Sequence, residues 1–394
     1  MQLFEGPVFY ALLLAAVTPA VFIGASERPL KRYGMAVTLF FVAASMYKSP
    51  AAIFWMALFI VIERLIVSVY IRDRKKNGRI AGRYYAALIM SLMPLVIYKL
   101  MPFIMPDSPD SGAVSIMGFI GISYMTFRQL QIVIEIYDGL IEEVDTFDYV
   151  YFMIFFPSVL SGPIARSREF SADINRIRPS AEYSEMAGEG LVRFMKGMIY
   201  KVVLSTFFYQ ILTFYGIRHD IRSALIYMYM YGFYLFFDFA GYSLMAVGCS
   251  YIFGFRMPDN FNKPFVSTDI KEFWDRWHIT LSHWLRDYLF SRIVMNMMRH
   301  KVFKNKLTIA CSALMINMFV MGLWHGLEPY YIIYGIYHGI LLAVTEVFQK
   351  KSKFYKKHKK DRWFKAVSWF VTFNLVMFGF FIFSGRFTEL VMNW

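Results

Sequence analysis

Residues 312–323 read SALMINMFVMGL, twelve positions without a charge, and Trp324 and His325 follow directly. Crossing the hydrocarbon core of a bilayer takes about 20 predominantly apolar residues in a helix, and the window 307–325 has that length. Leu12–Ile23 and Ala51–Ile62 are charge-free in the same way. Of the 394 residues 58% are hydrophobic, against about 45–50% in soluble domains. Candidate spans fall at about 7–25, 33–48, 50–71, 84–105, 113–137, 148–164, 190–215, 223–254, 307–325, 330–349 and 364–385, about eleven transmembrane helices. Lipid offers backbone groups no partners, so such spans are helical. The expected fold is an all-α polytopic membrane protein. It is read as a single membrane domain over 1–394, with no internal repeat and no low-complexity linker.

Forty-two Lys and Arg against 28 Asp and Glu give a formal net charge of +14. In a membrane protein that excess suits cytoplasmic loops facing anionic lipid, and it equally suits an acidic partner protein; neither reading calls for nucleic acid. The basic turns Arg28–Arg32 and Arg72–Arg83 and the run Lys350–Arg362 are assigned to the cytoplasm, which puts the N-terminus outside. Met105–Gly112, with two Asp and no basic residue, fits the outer face. Arg166–Arg178 is basic yet falls outside on a simple count of spans; a re-entrant segment nearby would reconcile the two. Glu5 precedes any Lys or Arg, so the first segment reads as a retained span rather than a cleaved signal. Cys249 and Cys311 lack CxxC spacing and metal-like company, and read as apolar packing residues.

One stretch is neither span nor loop. Residues 269–290, DIKEFWDRWHITLSHWLRDYLF, place large apolar residues on one helical face and Lys271, Glu272, Asp275, Arg276, His283, Arg286 and Asp287 on the other. Asp269 with Glu272 makes an N-terminal capping pair. This amphipathic helix is too charged to span, and suits the membrane surface or the side of a bundle.

Seven histidines are present. His358 lies in the basic run, His219 and His300 adjoin basic loops, and His283 sits on the charged face. His325 ends a long uncharged run, where a titratable group is costly and a functional role is the default; the competing reading is a buried histidine bonded to a carbonyl. Imidazole suits general-base work near neutral pH. His278 borders the apolar face of the 269–290 helix, as a site residue or as an interfacial histidine beside tryptophans. His338 lies mid-span, where helix–helix hydrogen bonding competes with a direct role. Asp238, Glu63 and Glu135 interrupt apolar runs, either paired inside the protein or lining a polar passage. Asp238, Trp324 and His338 are candidates to line or support that passage. No HExxH, GxSxG or Walker-type motif appears, and no metal site or bound cofactor is expected.

Taken together, RWHITLSHWLRDYLF (Arg276–Phe290) and MGLWHG (Met321–Gly326) resemble the signature of membrane-bound O-acyltransferases, with His278 and His325 spaced 47 residues apart as in that family's paired positions. DFAGYS (Asp238–Ser243) and PDNFNKPF (Pro258–Phe265) are similar to further family motifs in the same order. The resemblance runs from about residue 30 to 385. SYMTFRQLQIVIEIYDGLI (Ser123–Ile141) and FFPSVLSGPIARSREF (Phe155–Phe170) are similar to the branch that transfers D-alanine in Gram-positive bacteria. The resemblance implies a ring of tilted helices around a central funnel or tunnel. It implies His325 as the catalytic histidine and His278 as the second site histidine. The implied donor is D-alanine held as a thioester on the phosphopantetheine arm of an acidic carrier protein at the cytoplasmic face. The implied acceptor is lipoteichoic acid, reached on the outer side. An outward-facing Dlt D protein and a small single-span Dlt peptide are the other implied partners, in a bacterial cell membrane.

The residues themselves bear on this. No Ser or Cys stands beside His325 in sequence, which favours direct general-base transfer over an acyl-enzyme. SRIVMNMMRH (Ser291–His300) is Met-rich, and Arg292, Val294, Met298 and Arg299 on it suit carrier docking; ordinary packing or lipid contact is the alternative. If Lys301–Lys306 is cytoplasmic, a straight helix puts His325 near the outer surface, so a tilted or broken helix and a deep funnel are expected. Two other functions stay open: an O-acetyltransferase of a wall or capsule polysaccharide, and a membrane transporter or flippase.

Overall fold

The structure is a computed structural model that describes residues 3–104, 121–216 and 220–392. The expected acidic outer loop 105–112, the first part of the 113–137 span and His219 lie outside those residues. The chain clusters into two compact units, one of residues 1–197 with 242–258 and one of residues 198–241 with 259–394. The first holds α1 (Gly6–Ala25), α2 (Lys31–Met46), α3 (Pro50–Asn77), α4 (Ala81–Ile104), α5 (Ile122–Asp138), α6 (Thr146–Ile154) and α7 (Ser167–Ile174). α8 (Ser180–Gly216) and α9 (Ile221–Ile252) contribute to both. The second adds α10 (Ile270–Arg276), α11 (Ile279–Leu285), α12 (Ser291–Arg299), α13 (Lys306–His325), α14 (Pro329–Lys351), α15 (Lys353–His358), α16 (Arg362–Phe383) and α17 (Arg386–Met392).

Among the described residues eight helices are long and apolar enough to cross a membrane: α1, α3, α4, α8, α9, α13, α14 and α16. All eight are among the eleven segments read from the sequence. Segment 33–48 forms α2, which has only 16 residues. The described part of 113–137 is the 17-residue α5. Segment 148–164 is no span at all. Its helix α6 ends after nine residues, and a single 3-10 turn, Phe156–Ser158, follows.

The reason lies on α5, whose buried polar side chains reach across to that segment. The Arg128 guanidinium donates to the carbonyls of Phe152 at 2.6 Å, Met153 at 2.8 Å and Ser158 at 2.9 Å, and to Ser158 Oγ at 2.7 Å. Gln131 Nε2 donates to Ala165 O at 3.2 Å. These bonds satisfy carbonyls that no helix would satisfy, so the chain turns back instead of crossing. Both ends of the turned segment meet one lysine: Lys31 Nζ pairs with Asp148 and lies 2.9 Å from Asn175 Oδ1. Segment 148–175 therefore enters and leaves at the level of Lys31. Arg166–Arg178 stays with Arg28–Arg32, as a re-entrant segment requires.

In the second unit α13 and α14 form a tight hairpin. A Cβ at Gly322 would stand 2.5 Å from Tyr331 O, and one at Gly335 would stand 2.5 Å from Met318 O. Small residues on both sides let the backbones meet, the usual device where apolar surface alone gives no drive between helices in lipid.

The expected continuous helix over 269–290 is interrupted. Asp269 caps α10 by accepting from Lys271 N at 2.9 Å and Glu272 N at 3.0 Å, and Glu272 Oε2 reaches back to Thr268 N at 2.8 Å. That capping pair was legible, but α10 stops after seven residues. Segment 260–262 pairs across the break: Phe261 bridges Trp277, Asn262 N donates to Arg276 O at 2.9 Å, and Ile279 N donates to Asn260 O at 2.9 Å. His278 takes up the left-handed conformation, φ 45°, ψ 50°, before α11 begins. A π segment, Arg286–Phe290, then leads into α12. α10 is anchored at its start, where Lys271 pairs with Glu346 near the end of α14 and Gln349 Nε2 donates to Asp269 Oδ2 at 3.0 Å.

Arg128→Met leaves several buried acceptors without a donor and is expected to lower stability by roughly 3 kcal/mol or more. Lys75→Met removes only an exposed pair with Glu143 and is expected to leave the melting temperature nearly unchanged. Melting of the detergent-solubilised protein compares the two.

Candidate active site

His325 is the last residue of α13, and the chain leaves it in an extended conformation at Gly326, φ −176°. α13 is unbroken over 20 residues, about 30 Å of rise, so His325 stands at the far end from Lys306. Of the tilted or broken helix expected here, α13 shows no break. The His325 ring is half-buried and walled by aromatics. Trp324 lies at 4.6 Å between centroids, Phe383 at 5.0 Å edge-on, Tyr331 at 6.0 Å nearly parallel and Tyr334 at 6.3 Å.

His278 is buried, 3% exposed. Its Nδ1 lies 3.1 Å from Asn260 Oδ1, which also accepts from Thr280 N at 3.2 Å and Thr280 Oγ1 at 2.9 Å. Thr280 N is always a donor, so the oxygen of Asn260 must face this group. His278 Nδ1 is then the ring's N–H, and Nε2 its acceptor. Burial, with the charge of nearby His325, pushes the His278 pKa down to about 3. The ring is neutral at physiological pH. Trp274 of α10 packs on His338, and Tyr334 packs on both His338 and His325, so the segment bearing His278 meets the same aromatic wall as His325. Phe239 packs edge-on to His278 at 4.7 Å, so the DFAGYS stretch also borders it.

The other expected lining residues divide. Trp324 packs beside His325 with the two rings tilted by 59°. His338 is fully buried, boxed in by Tyr334 at 4.6 Å, Trp274 at 5.2 Å and Tyr337 at 5.3 Å. Tyr334 stands between it and His325. Asp238 forms an ion pair with Lys201 Nζ at 2.6 Å, the pairing inside the protein that is one of its two expected settings. Lys201 sits in a π segment of α8, Ile199–Leu204, a distortion that often marks a function-bearing stretch of helix. Glu63 is fully buried in the first unit, and Glu135 there pairs with Arg168 at 3.1 Å. On α12, Arg292 and Val294 are half-buried while Met298 and Arg299 are exposed.

Reading the sequence missed Asn260, Thr280, Tyr331 and Tyr334. Asn260 and Thr280 lie inside motifs already quoted, but nothing local says that an amide 18 residues away fixes a histidine tautomer. Tyr331 and Tyr334 follow the Gly326 turn at helical spacing and read as interface aromatics.

A model of the membrane-bound O-acyltransferase family matches residues 35–385. The teichoic acid D-alanyltransferase of Bacillus subtilis (strain 168) is 37% identical over 386 residues, covering 96% of this chain and 97% of its own. The teichoic acid D-alanyltransferase of Streptococcus thermophilus is 38% identical, covering 98% and 95%. A probable alginate O-acetylase of Pseudomonas syringae pv. tomato is 33% identical over 68% of this chain and 49% of its own length. With eight apolar helices and a family model over residues 35–385, the chain belongs to the membrane-bound O-acyltransferase family and is a multi-pass membrane acyltransferase.

Proposed function

We propose that this acyltransferase moves D-alanine from a phosphopantetheine thioester on an acidic carrier protein to a hydroxyl of teichoic acid. The observation that carries the reading is the similarity over nearly the whole chain to two enzymes named for D-alanyl transfer to teichoic acid. The alginate acetylases share only about two thirds of the chain, which makes O-acetylation of a polysaccharide the weaker alternative.

In the proposed reaction the His325 imidazole takes the proton of the acceptor hydroxyl as its oxygen attacks the thioester carbonyl. The tetrahedral intermediate collapses, the C–S bond breaks, and the departing thiolate takes the proton back from the imidazolium. One ester forms, one thioester is lost, and the base is regenerated. His278, neutral with Nδ1–H held by Asn260, offers Nε2 as an acceptor that orients a reacting group without competing for protons. The chain needs no cofactor of its own in this scheme. The basic segments Arg28–Arg32, Arg72–Arg83 and Lys350–Arg362 face the cytoplasm, and the N-terminus lies outside. The carrier docks on α12 through Val294 and Met298 with Arg292 and Arg299 meeting its acidic surface. Its arm follows α10 inward, and the D-alanyl group leaves at the far end of α13. A Dlt D protein and a small single-span Dlt peptide are partners of this process.

Replacing His325 with Gln is expected to cut D-alanyl transfer 10²–10⁴-fold, roughly the range of one general base; transfer near the wild-type rate in a reconstituted assay overturns the assignment. Met298→Asp is expected to weaken carrier binding at least about tenfold by placing a charge opposite acidic groups and in an apolar contact, which titration calorimetry reads. His278 has a depressed folded pKa, so its contribution to stability is complete above about 6.5 and is lost as pH falls toward about 3. Going from pH 7 to pH 5 is expected to cost about 2 kcal/mol through this group, and His278→Gln to remove that part of the pH dependence of melting.

A further inference from the structure

We propose that Glu328, with the face of Tyr331, binds the α-ammonium of the aminoacyl group and so makes the site specific for an aminoacyl over a plain acyl donor. The proposal rests on the D-alanyl reading above and assigns a residue to it.

Glu328 lies three residues past His325 and occupies the N-cap of α14, yet its side chain makes no capping bond. Its carboxylate is exposed. A Cβ built on Gly326 would collide with both Glu328 Oε2 and the ring of Tyr331. Consecutive Cα atoms are about 3.8 Å apart, so the carboxylate and that ring stand over the residue adjoining His325. Tyr331 in turn lies nearly parallel to the His325 ring at 6.0 Å. Elsewhere in this unit acids are engaged: Asp238 with Lys201, Glu272 with Arg276, Glu346 with Lys271 and Lys350, Glu389 with Arg386. Among the described residues Glu328 has no ion-pair partner of this kind. In a chain of net charge +14, this carboxylate beside the ring that faces His325 is open to a cation brought by the donor.

The donor chemistry supplies the missing cation. In an aminoacyl thioester the ammonium sits on the carbon next to the reacting carbonyl, so a carbonyl held at His325 carries a positive charge within a few ångströms of it. That charge is partly desolvated between Trp324, Tyr331 and Phe383, and needs a counter-charge. A carboxylate gives it one, and an aromatic face adds cation–π attraction. A propionyl group has the same carbon skeleton without the charge and gains nothing from either.

The test compares carrier protein loaded with D-alanine and with propionate, using the full-length protein in vesicles. Wild type is expected to favour the D-alanyl donor. In Glu328→Gln, kcat/KM for D-alanyl transfer is expected to fall roughly fivefold, the scale of a partly exposed ion pair, with propionyl transfer unchanged, so that the preference collapses. Glu328→Asp is expected to keep most of it, and added salt to erode the wild-type preference but not that of the Gln variant. A proportional fall with both donors would mean that Glu328 only supports the start of α14, and no change with either would mean that it does not meet the donor; both overturn the proposal while leaving D-alanyl transfer intact. Wild type that transfers no D-alanine at all would instead overturn the function on which the proposal rests.

Discussion

One amide oxygen holds the site together. Asn260 Oδ1 accepts from His278 Nδ1 and from both the backbone and the hydroxyl of Thr280. Those bonds, with the Phe261–Trp277 bridge, stop the helix that the amphipathic pattern would otherwise carry from 269 to 290. Holding a β-unbranched residue such as His278 in the left-handed region costs about 1–2 kcal/mol. Several buried hydrogen bonds at about 1 kcal/mol each offset that cost. Backbone strain at a site is often the means by which a side chain is aimed. Here it fixes one tautomer, one orientation and one protonation state for His278.

The same logic recurs where the chain leaves regular helix inside an apolar environment. Irregular backbone at that depth is tolerated only when protein groups satisfy it. In the first unit Arg128 does so for the Phe152–Ser158 turn. In the second Asn260 does so for the break at His278. Each device turns a segment back or interrupts it, and each depends on one polar side chain far away in sequence. Burial of those side chains makes the devices stable, because an unmatched donor or acceptor there has no water to fall back on.

How much of this was legible follows from what each signal measures. Hydropathy found all eight long apolar helices, because span length is a property of local sequence. It failed at 148–164, where apolar content is high but Arg128, more than twenty residues upstream, supplies the bonds that turn the chain. Periodicity reads 269–290 as one helix because the two helices flanking the two-residue break at Trp277 and His278 keep nearly the same apolar face. The break itself is written in residues 260–262, outside the window. His325 stood out because a histidine at the end of a charge-free run has few bland explanations. Resemblance sets His278 beside it, and ring contacts from Trp274 through His338 and Tyr334 to His325 join their two segments. Asp238 was selected on the same grounds as His325, yet it has a lysine partner that nothing near it in sequence announces.

In the proposed function, one histidine-centred site joins a donor arriving at the basic face to an acceptor hydroxyl on the other side. Vesicles with the protein inserted in one orientation, loaded carrier bearing labelled D-alanine outside the basic face, and a glycerol-phosphate acceptor sealed within test it directly. The account predicts labelled ester in the lumen, dependent on carrier and linear in protein. Ester formed only when the acceptor shares the carrier's compartment, or none in the lumen, would contradict it.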